Sequence, residues 1–416
     1  MYGKIFTTRL YYRVCCFVLF LVAASASFNG FYQQSHFAEA GFPGANFRSN
    51  FESMVDGTAY RPYVYRQLLP SAANWLNRVV PETVKARLYN RQGTYPNAFL
   101  DAIAVSATAR NKVYFFRYLV IYIATLLFAV LAVYAMYLVC TALQMPSFVA
   151  VLAPVVIILL VPYGISGRGY FYDYPELAFM ALAFWVALKF DWWWLVPVVA
   201  LGTWNKESFL VFVLTLYPIF RLRSSRLGAM IQVGALCLVS LAVYFPLRLA
   251  FSHNPGATVY LGFWDQLQML MNPREMIYGT CEIYGLPMLA GYTILPMALL
   301  AWTVWRGWRH LPGAIQKHGL IAAAINFPLY ILFVAPGELR DLSMLYMAFL
   351  ILLAANLNHW IVAPERGRVQ IASRAGLESS SFSHSNPIRH AVSTRMENSA
   401  GKSSDTGLAC ALEQQR

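Results

Sequence analysis

Charged residues are scarce in this sequence. Asp, Glu, Lys and Arg make up only 12% of its 416 residues, whereas 58% are hydrophobic and 16% are aromatic. A soluble domain carries about twice that share of charge, so the composition excludes an ordinary soluble globular protein. The long apolar runs predict an all-α polytopic membrane protein with about ten transmembrane or re-entrant helices.

Cysteine is also scarce, and its spacing predicts neither a disulfide framework nor a metal-binding motif. Four of the six cysteines lie in apolar segments and one lies in the C-terminal tail, so only Cys281 is predicted to be exoplasmic, without a partner. The six are Cys15, Cys16, Cys140, Cys237, Cys281 and Cys410.

The net charge of +13 does not indicate a nucleic-acid partner. Many of the basic residues lie in short loops and in the C-terminal tail, where membrane topology and anionic lipid account for them. We therefore predict contact with membrane lipid and none with nucleic acid.

The N-terminal domain, residues 1–28, is predicted to be a signal-anchor span. Lys4, Arg9 and Arg13 precede the apolar run 14–24, which favours a cytoplasmic N-terminus. The residues 24–26 resemble a signal-peptidase site, so cleavage stays an alternative. Because aromatic residues extend the run on both sides, an uncleaved anchor is favoured.

A large exoplasmic loop is predicted over residues 29–112, which contain no hydrophobic run long enough to span a bilayer. Pro70 and Pro81 open two short amphipathic stretches, and proline suits the first turn of a helix. We predict two helices lying on the membrane surface and a third, over 97–109, leading into the membrane.

The multi-span domain is predicted over residues 113–362. Its apolar runs are 114–138, 148–163, 177–188, 192–220, 227–249, 288–305, 320–334 and 342–362. The run 192–220 is either one helix with charges at mid-bilayer, or two short helices or a re-entrant hairpin. The positive-inside rule favours the second alternative, because it returns Arg221, Arg223 and Arg226 to the cytoplasm. The polar tail, residues 363–416, is predicted to be disordered in the cytoplasm, so both termini are cytoplasmic.

Segment 56–70 is unusually polar for this chain and contains the main candidate site residues. It carries the carboxylate Asp56, the arginines Arg61 and Arg66, and tyrosines that include Tyr63 and Tyr65. Arginine can bind a phosphate through its planar fork, and tyrosine can stack on a sugar. The alternative is an interfacial aromatic belt with snorkelling arginines.

With this topology, the unusual polar clusters all fall on the exoplasmic side. Charged groups at membrane depth are expensive and mark either substrate paths or paired structural networks. For one cluster alone, an internal salt bridge is an equal alternative, above all for Asp173 with Arg168 and for Glu338 with Arg340. The clusters are Glu52 and Asp56; Arg61 and Arg66; Arg168, Asp173 and Glu176; Asn205, Lys206 and Glu207; Arg248 and His253; and Glu338, Arg340 and Asp341.

A reaction at the outer leaflet has no ATP, so its donor must arrive activated and attached to lipid. Sugar transfer from a polyprenyl phosphate leaves an anionic phosphate, which cations can stabilise in a dry site. The candidate cations are Arg61, Arg66, Lys206 and Arg340. The acceptor hydroxyl needs a general base, for which Asp56 and Glu52, four residues apart, are the candidates.

The chain resembles the GT-C superfamily of integral-membrane glycosyltransferases over about residues 1–362. The resemblance lies in a first span, a large exoplasmic loop with an early acidic residue and two surface helices, short later spans and exoplasmic charges. Its short motifs are Tyr60-Arg61-Pro62, Tyr65-Arg66-Gln67, Tyr172-Asp173-Tyr174-Pro175-Glu176 and Asn205-Lys206-Glu207-Ser208.

The resemblance implies a bacterial enzyme of the inner (cytoplasmic) membrane that moves a sugar from a polyprenyl-phosphate-linked donor to a glycan or glycolipid acceptor. Family members commonly carry paired acidic residues in the first loop, whereas here Asp56 has only Glu52 one helical turn before it. A cofactor is not established and a divalent metal is possible. The predicted substrate-binding residues are Arg61, Tyr63, Tyr65, Arg66, Asp173, Glu176, Lys206, Glu207 and Arg340.

Three other functions stay open. A polysaccharide polymerase or ligase also works on lipid-linked glycans, but its large arginine-rich loop tends to come late in the chain. A transporter or flippase predicts inverted repeats and broken helices in both halves, and the sequence shows no repeat. An inactive scaffold is the third alternative.

Overall fold

A computed structural model describes residues 2–37, 50–92, 100, 103–165, 169–257 and 261–361. This part of the chain is mostly helical. Five helices in it are long and apolar enough to cross a membrane: Leu10–Ser35, Phe115–Ala142, Ser147–Gly164, Arg226–Ala250 and Leu339–Ile361. The predicted total of about ten spans or re-entrant helices stays a prediction, and the tail 363–416 lies outside the described residues.

Helix α1 (Tyr2–Ser35) is longer than the predicted span 1–28. Its last turns continue because aromatic side chains there are buried against a later helix. The rings of Phe28 and Tyr32 meet Tyr122 edge-on, with centroids 4.8 and 4.9 Å apart. The first loop therefore starts after Ser35 and not at residue 29.

The described part of the first loop contains short helices: α2 (Phe51–Val55), α3 (Leu68–Val79), α4 (Glu82–Tyr89) and α5 (Ala107–Arg110). Helix α3 buries Leu69 and Ala73 and leaves Trp75 and Val79 exposed. An exposed apolar face of this kind is typical of a helix lying on a membrane surface. The two predicted short helices are thus present, while much of the third, over 97–109, lies outside the described residues.

The centre of the bundle is formed by α6 (Phe115–Ala142), α7 (Ser147–Leu160) and α8 (Asp173–Lys189), with a 3-10 turn at Val161–Gly164. Almost every side chain of α8 is buried, including both of its N-terminal carboxylates. Residues 166–168, and with them Arg168, lie outside the described part of the chain.

The ambiguous run 192–220 folds back on itself. It forms α9 (Leu195–Asn205), α10 (Ser208–Thr215) and α11 (Tyr217–Phe220), and Lys206 between the first two has an extended backbone. The two arms are in contact. Gly202 on α9 lies so close to the Phe209 ring on α10 that a side chain at position 202 would clash with that ring. Beyond the second arm, Arg223 donates to the carbonyls of Leu188 and Phe190, which precede the first arm. Both ends of the hairpin therefore lie at the same end of the bundle.

The next segment comprises α12 (Arg226–Ala250), α13 (Phe263–Leu270), α14 (Pro273–Tyr278), the strands β1 (Thr280–Ile283) and β2 (Leu286–Leu289), and α15 (Ile294–Gly307). A span over 288–305 was expected, but 286–289 belongs to an antiparallel hairpin. Tyr284 and Gly285 both have positive φ, 56° and 76°, as a tight two-residue turn requires. The described part of the chain is thus mostly helical, as predicted, with a small two-stranded sheet that was not predicted.

The chain then continues through α16 (Gly313–Phe333), a 3-10 segment at Leu339–Leu345 and α17 (346–361). We name the two ends of the bundle by their side chains. The polar end contains the end of α1, the starts of α6 and α8, the tip of the α9–α10 hairpin and the 3-10 segment. The basic end contains the connections 189–194, 221–225 and 307–312, with Lys189, Arg221, Arg223, Arg226, Arg306 and Arg309 in or beside them.

This division predicts that the basic end faces the cytoplasm. A membrane-impermeant maleimide added to whole cells should label Thr58→Cys, which is exposed at the polar end, and not Ser224→Cys at the basic end. Both variants are made in a background without the native cysteines, and Ser224→Cys should label once the cells are opened. Labelling of Ser224→Cys in intact cells would contradict the topology.

Candidate functional site

A buried charge network lies at the polar end, where four separate parts of the chain meet. Asp173 and Glu176 come from the first turn of α8, and Lys206 and Glu207 from the tip of the α9–α10 hairpin. The 3-10 segment and the residue before it supply Glu338, Arg340 and Asp341, and the first loop supplies Arg66. These groups lie at helix breaks and helix starts. There the direction of the backbone changes, so charged side chains can point into the bundle.

Arg340 joins α8 to the last part of the chain. Its Nη1 lies 2.5 Å from Asp173 Oδ2, and its Nη2 lies 2.7 Å from Glu338 Oε2. All three side chains are at most 7% exposed. The backbone N–H of Tyr170 also donates to Asp173, and the Tyr170 ring lies beneath the guanidinium at 4.9 Å. The predicted Glu338–Arg340 pair is present, and Arg340 adds a link to Asp173.

Lys206 joins the hairpin tip to two other segments. Its Nζ lies 2.8 Å from Glu176 Oε2 and 2.8 Å from Asp341 Oδ1. The second oxygen of Glu176 accepts hydrogen bonds from the hydroxyls of Ser208 and Ser343, at 2.7 and 2.8 Å. A buried ion pair is favourable only when its remaining lone pairs are also satisfied, and these two serines do so for Glu176.

Arg66 brings the first loop into the same network. Its Nη2 lies 3.2 Å from Glu207 Oε1, and its Nη1 donates to the hydroxyl of Tyr172. Burial acts to lower the pKa of Arg66, but Glu207 together with Tyr172 and Tyr63 outweighs burial and raises that pKa well above its usual range. Arg66 is therefore a permanent cation, held by its carboxylate partner.

Three tyrosines pack around these cations. The rings of Tyr170 and Tyr172 are stacked, 5.1 Å apart, and Tyr63 lies 5.6 Å from Tyr170. The guanidinium of Arg66 lies 4.3 Å above the Tyr172 ring and 5.3 Å above that of Tyr63. The aromatic stack excludes water from the network and so strengthens its ion pairs.

Three of the four cations predicted to bind phosphate are thus already bound to carboxylates. Arg66, Lys206 and Arg340 each have at least one carboxylate oxygen within 3.2 Å. Their assignment as phosphate ligands stays a prediction, and it requires that a phosphate compete with those carboxylates.

Arg61 differs from the other three cations. Among the described residues no carboxylate forms an ion pair with it, and its Nη2 donates to the Gly256 carbonyl at 2.7 Å. The adjacent Tyr65 is 4% exposed, and its hydroxyl has no hydrogen-bond partner in the described part of the chain. Burial raises the pKa of Tyr65, while the nearby charges of Arg61 and Arg248 oppose that rise.

The two candidate bases lie apart from the buried network. Asp56 caps the C-terminus of α2, and Gly57 follows with a φ of 72°, as expected for a residue at a helix end. The Asp56 side chain is 35% exposed. Its Oδ1 accepts from Arg117 at 2.8 Å and its Oδ2 from Tyr114 at 2.5 Å.

These contacts fix the direction of the Asp56 carboxylate. The hydrogen bond to Asp56, followed by burial, raises the pKa of Tyr114 to about 12, so this phenol stays a donor at physiological pH. Among the described residues, Thr108 is the one hydrogen-bond donor to the Glu52 carboxylate, at a long 3.4 Å.

The Asp56 region does not fit the divalent metal that the resemblance makes possible. A metal ion needs several oxygen ligands close together, whereas the groups that contact the Asp56 carboxylate are the hydrogen-bond donors Arg117 and Tyr114. Within the described ranges no group of three or more His, Cys, Asp or Glu side chains could hold a metal ion.

Sequence reasoning did not find the residues that orient the predicted ones. Tyr114 and Arg117 hold Asp56, although they lie 58 and 61 residues away in the chain. Ser208 and Ser343 were also missed. A weak signal existed for Tyr114 and Arg117, because they lie at the start of an apolar span, where a polar pair three residues apart faces the preceding loop.

Comparison with known proteins gives no relative for this chain: no protein-family model, no curated protein and no solved structure matches it.

Proposed function

We propose that this protein is an integral-membrane glycosyltransferase of the GT-C type. It moves a sugar from a polyprenyl-phosphate-linked donor to an envelope glycan or glycolipid at the exoplasmic face of a bacterial inner membrane. Both termini are cytoplasmic, and the basic end faces the cytoplasm. In this proposal the full set of about ten transmembrane or re-entrant helices surrounds the polar end.

The proposal rests on two groups at the polar end. One is an accessible carboxylate, Asp56, and the other is a cation, Arg61, that pairs with no carboxylate among the described residues. Asp56 is exposed and rigidly oriented, as a general base must be to reach an acceptor hydroxyl. Arg61, five residues later, can stabilise the phosphate that leaves. The two side chains belong to one short loop, whose backbone is tied to residues 254–256 by hydrogen bonds.

In this scheme the buried network has a structural role as well as its predicted binding role. Arg66, Lys206 and Arg340 hold the loop, the hairpin tip and the last helix together. The Lys206–Glu207 break also fits a transporter, because broken helices are typical of transport sites. We favour the transferase because the accessible carboxylate lies in the loop and outside the bundle interior.

Reconstituted protein should transfer sugar from a polyprenyl-phosphate donor, and Arg61→Lys should slow that transfer. Lysine keeps the charge but loses the two-pronged hydrogen bonding. Loss of one charge-assisted hydrogen bond costs about 1.5–3 kcal/mol, or roughly 10- to 150-fold in rate. Turnover of radiolabelled donor in proteoliposomes measures both effects.

Arg78→Lys is the matched control, because Arg78 is exposed at the same end, in the last turn of α3. It should retain wild-type turnover. Equal turnover in Arg61→Lys and wild type would contradict a phosphate-binding role for Arg61. Absence of transfer by the wild type with any polyprenyl-linked donor from the producing strain would contradict the proposed function itself.

A further inference from the structure

A cavity of about 700 Å³ lies at the polar end, between the last turns of α1 and the β1–β2 hairpin. It is separate in sequence from every candidate residue discussed so far. Its volume falls within the usual range for small-molecule binding sites. The ring of Tyr284, at the turn of the hairpin, packs against Gly30 of α1 and closes one side.

The lining of this cavity is polar but almost uncharged. Asn29, Gln33 and Gln34 project from α1, and Thr280, Tyr284 and Tyr292 come from the hairpin segment. Glu282 is the one charged residue among the described residues that line it, and no Lys, Arg or His does so. An anionic phosphate or a carboxylate ligand therefore finds no counter-charge there.

One buried group in the lining lacks a partner. Gln34 is 9% exposed, and its Nε2 donates to the carbonyls of Gly30 and Pro162 at 3.3 and 3.4 Å. Its Oε1 accepts no hydrogen bond from the described residues. That oxygen is itself buried and does not open into the cavity, so the amides available to a ligand are those of Asn29 and Gln33, which are exposed.

The available chemistry selects one class of ligand. Amide side chains offer donors and acceptors side by side, as do the hydroxyls of Thr280 and Tyr292. The hydroxyl of Tyr284 already donates to the Leu159 carbonyl, so it can only accept from a ligand. Tyrosine rings add flat apolar surface. A molecule that needs many donor–acceptor pairs and some flat apolar contact, and carries no charge, is a neutral sugar.

We propose that this cavity binds an uncharged saccharide unit of a substrate glycan. Asn29 and Gln33, one helical turn apart on the exposed face of α1, bind its hydroxyls. This inference rests on the proposed function only where it takes the sugar to be part of a substrate glycan, because a protein can bind a sugar without transferring it.

Cys281 lines the cavity and provides the probe. In a variant whose other five cysteines are replaced by serine, the alkylation rate of Cys281 by a maleimide is measured at one fixed pH, because burial raises the pKa of this thiol. The neutral oligosaccharides released from the producing strain's own envelope are added as the probe ligand, and the anionic fraction of the same release serves for comparison.

The neutral fraction should slow alkylation by the factor 1 + [L]/Kd, about tenfold when its concentration is ten times Kd. Gln33→Ala combined with Asn29→Ala should abolish this protection. Gln268→Ala should retain it, because Gln268 is an exposed amide on α13 outside the cavity. Lack of protection by the neutral fraction, protection by the anionic fraction alone, or equal protection in the double variant would overturn the proposal.

The test separates this inference from the proposed function. Asp56→Asn should be protected as well as the wild type, because Asp56 does not line the cavity. Protection without any transferase activity supports a sugar site in a protein of another function. Transferase activity without protection supports the proposed function and contradicts the saccharide site in the cavity.

Discussion

Asp56→Asn should transfer sugar about 10²–10⁴ times more slowly than the wild type, the usual loss when a general base is removed. Asparagine has nearly the same volume and can still accept the hydrogen bond from Tyr114, but it cannot take a proton from an acceptor. The ion pair with Arg117 is also lost. Because the Asp56 side chain is 35% exposed, that loss should change the free energy of unfolding by no more than about 1 kcal/mol.

Glu52→Gln is the matched control, since Glu52 lies in the short helix that Asp56 caps and its carboxylate accepts one long hydrogen bond from the described residues. It should keep turnover within a few-fold of the wild type. Turnover is measured in membranes alongside protein abundance. Wild-type turnover in Asp56→Asn would remove Asp56 as the base, and the next candidates would be Glu207, whose Oε2 has no partner within the described residues, and Asp173.

Lys206→Met should destabilise the fold by about 3–5 kcal/mol, the usual cost of removing one partner of a buried ion pair. Lys206 is 6% exposed, and its loss leaves Glu176 and Asp341 without their cation. Adding Glu176→Gln to this variant should recover part of the loss, because one of the two stranded charges is then removed. Unfolding of purified protein in detergent, followed by circular dichroism, measures the differences.

Lys85→Met is the corresponding control at an ion pair whose carboxylate lies in solvent, although the Lys85 side chain itself is only 11% exposed. Its partner Glu82 is 88% exposed, and such pairs contribute about 0–1 kcal/mol. Equal and small effects of Lys206→Met and Lys85→Met would show that the buried network does not hold the fold together. In that case the prediction that Lys206 binds substrate would gain weight.

The apolar runs predicted most helices, because span length and composition depend on residues close in sequence. The run 192–220 shows what the charge distribution adds. Arg221, Arg223 and Arg226 favoured a folded-back arrangement over one long helix, and the contacts of Arg223 with Leu188 and Phe190 confirm it. Helix ends were harder to predict, since α1 continues to Ser35 through burial of aromatic rings contributed by α6.

The side-chain partners at the candidate site could be predicted only in part. Glu338 and Arg340 are two residues apart, so their pairing follows from proximity in the chain. The links from Arg340 to Asp173 and from Lys206 to Asp341 span 167 and 135 residues. Pairings over such distances depend on how the helices pack, which apolar composition does not specify. The β1–β2 hairpin was missed because its strands are only four residues long and because the end of β2 lies in the apolar run 288–305, which suggested a helix.

The 135 residues between Lys206 and Asp341 also set an order of assembly during synthesis. Chains are made at about 5–20 residues per second, so on the order of ten seconds separate the insertion of the hairpin tip from the arrival of its second carboxylate. Glu176 and Arg66 precede the tip and can neutralise Lys206 and Glu207 from the start. The ion pairs of Asp173 with Arg340 and of Lys206 with Asp341 form only once the late 3-10 segment has been made. The network of a nascent chain therefore stays incomplete until that segment has been synthesised.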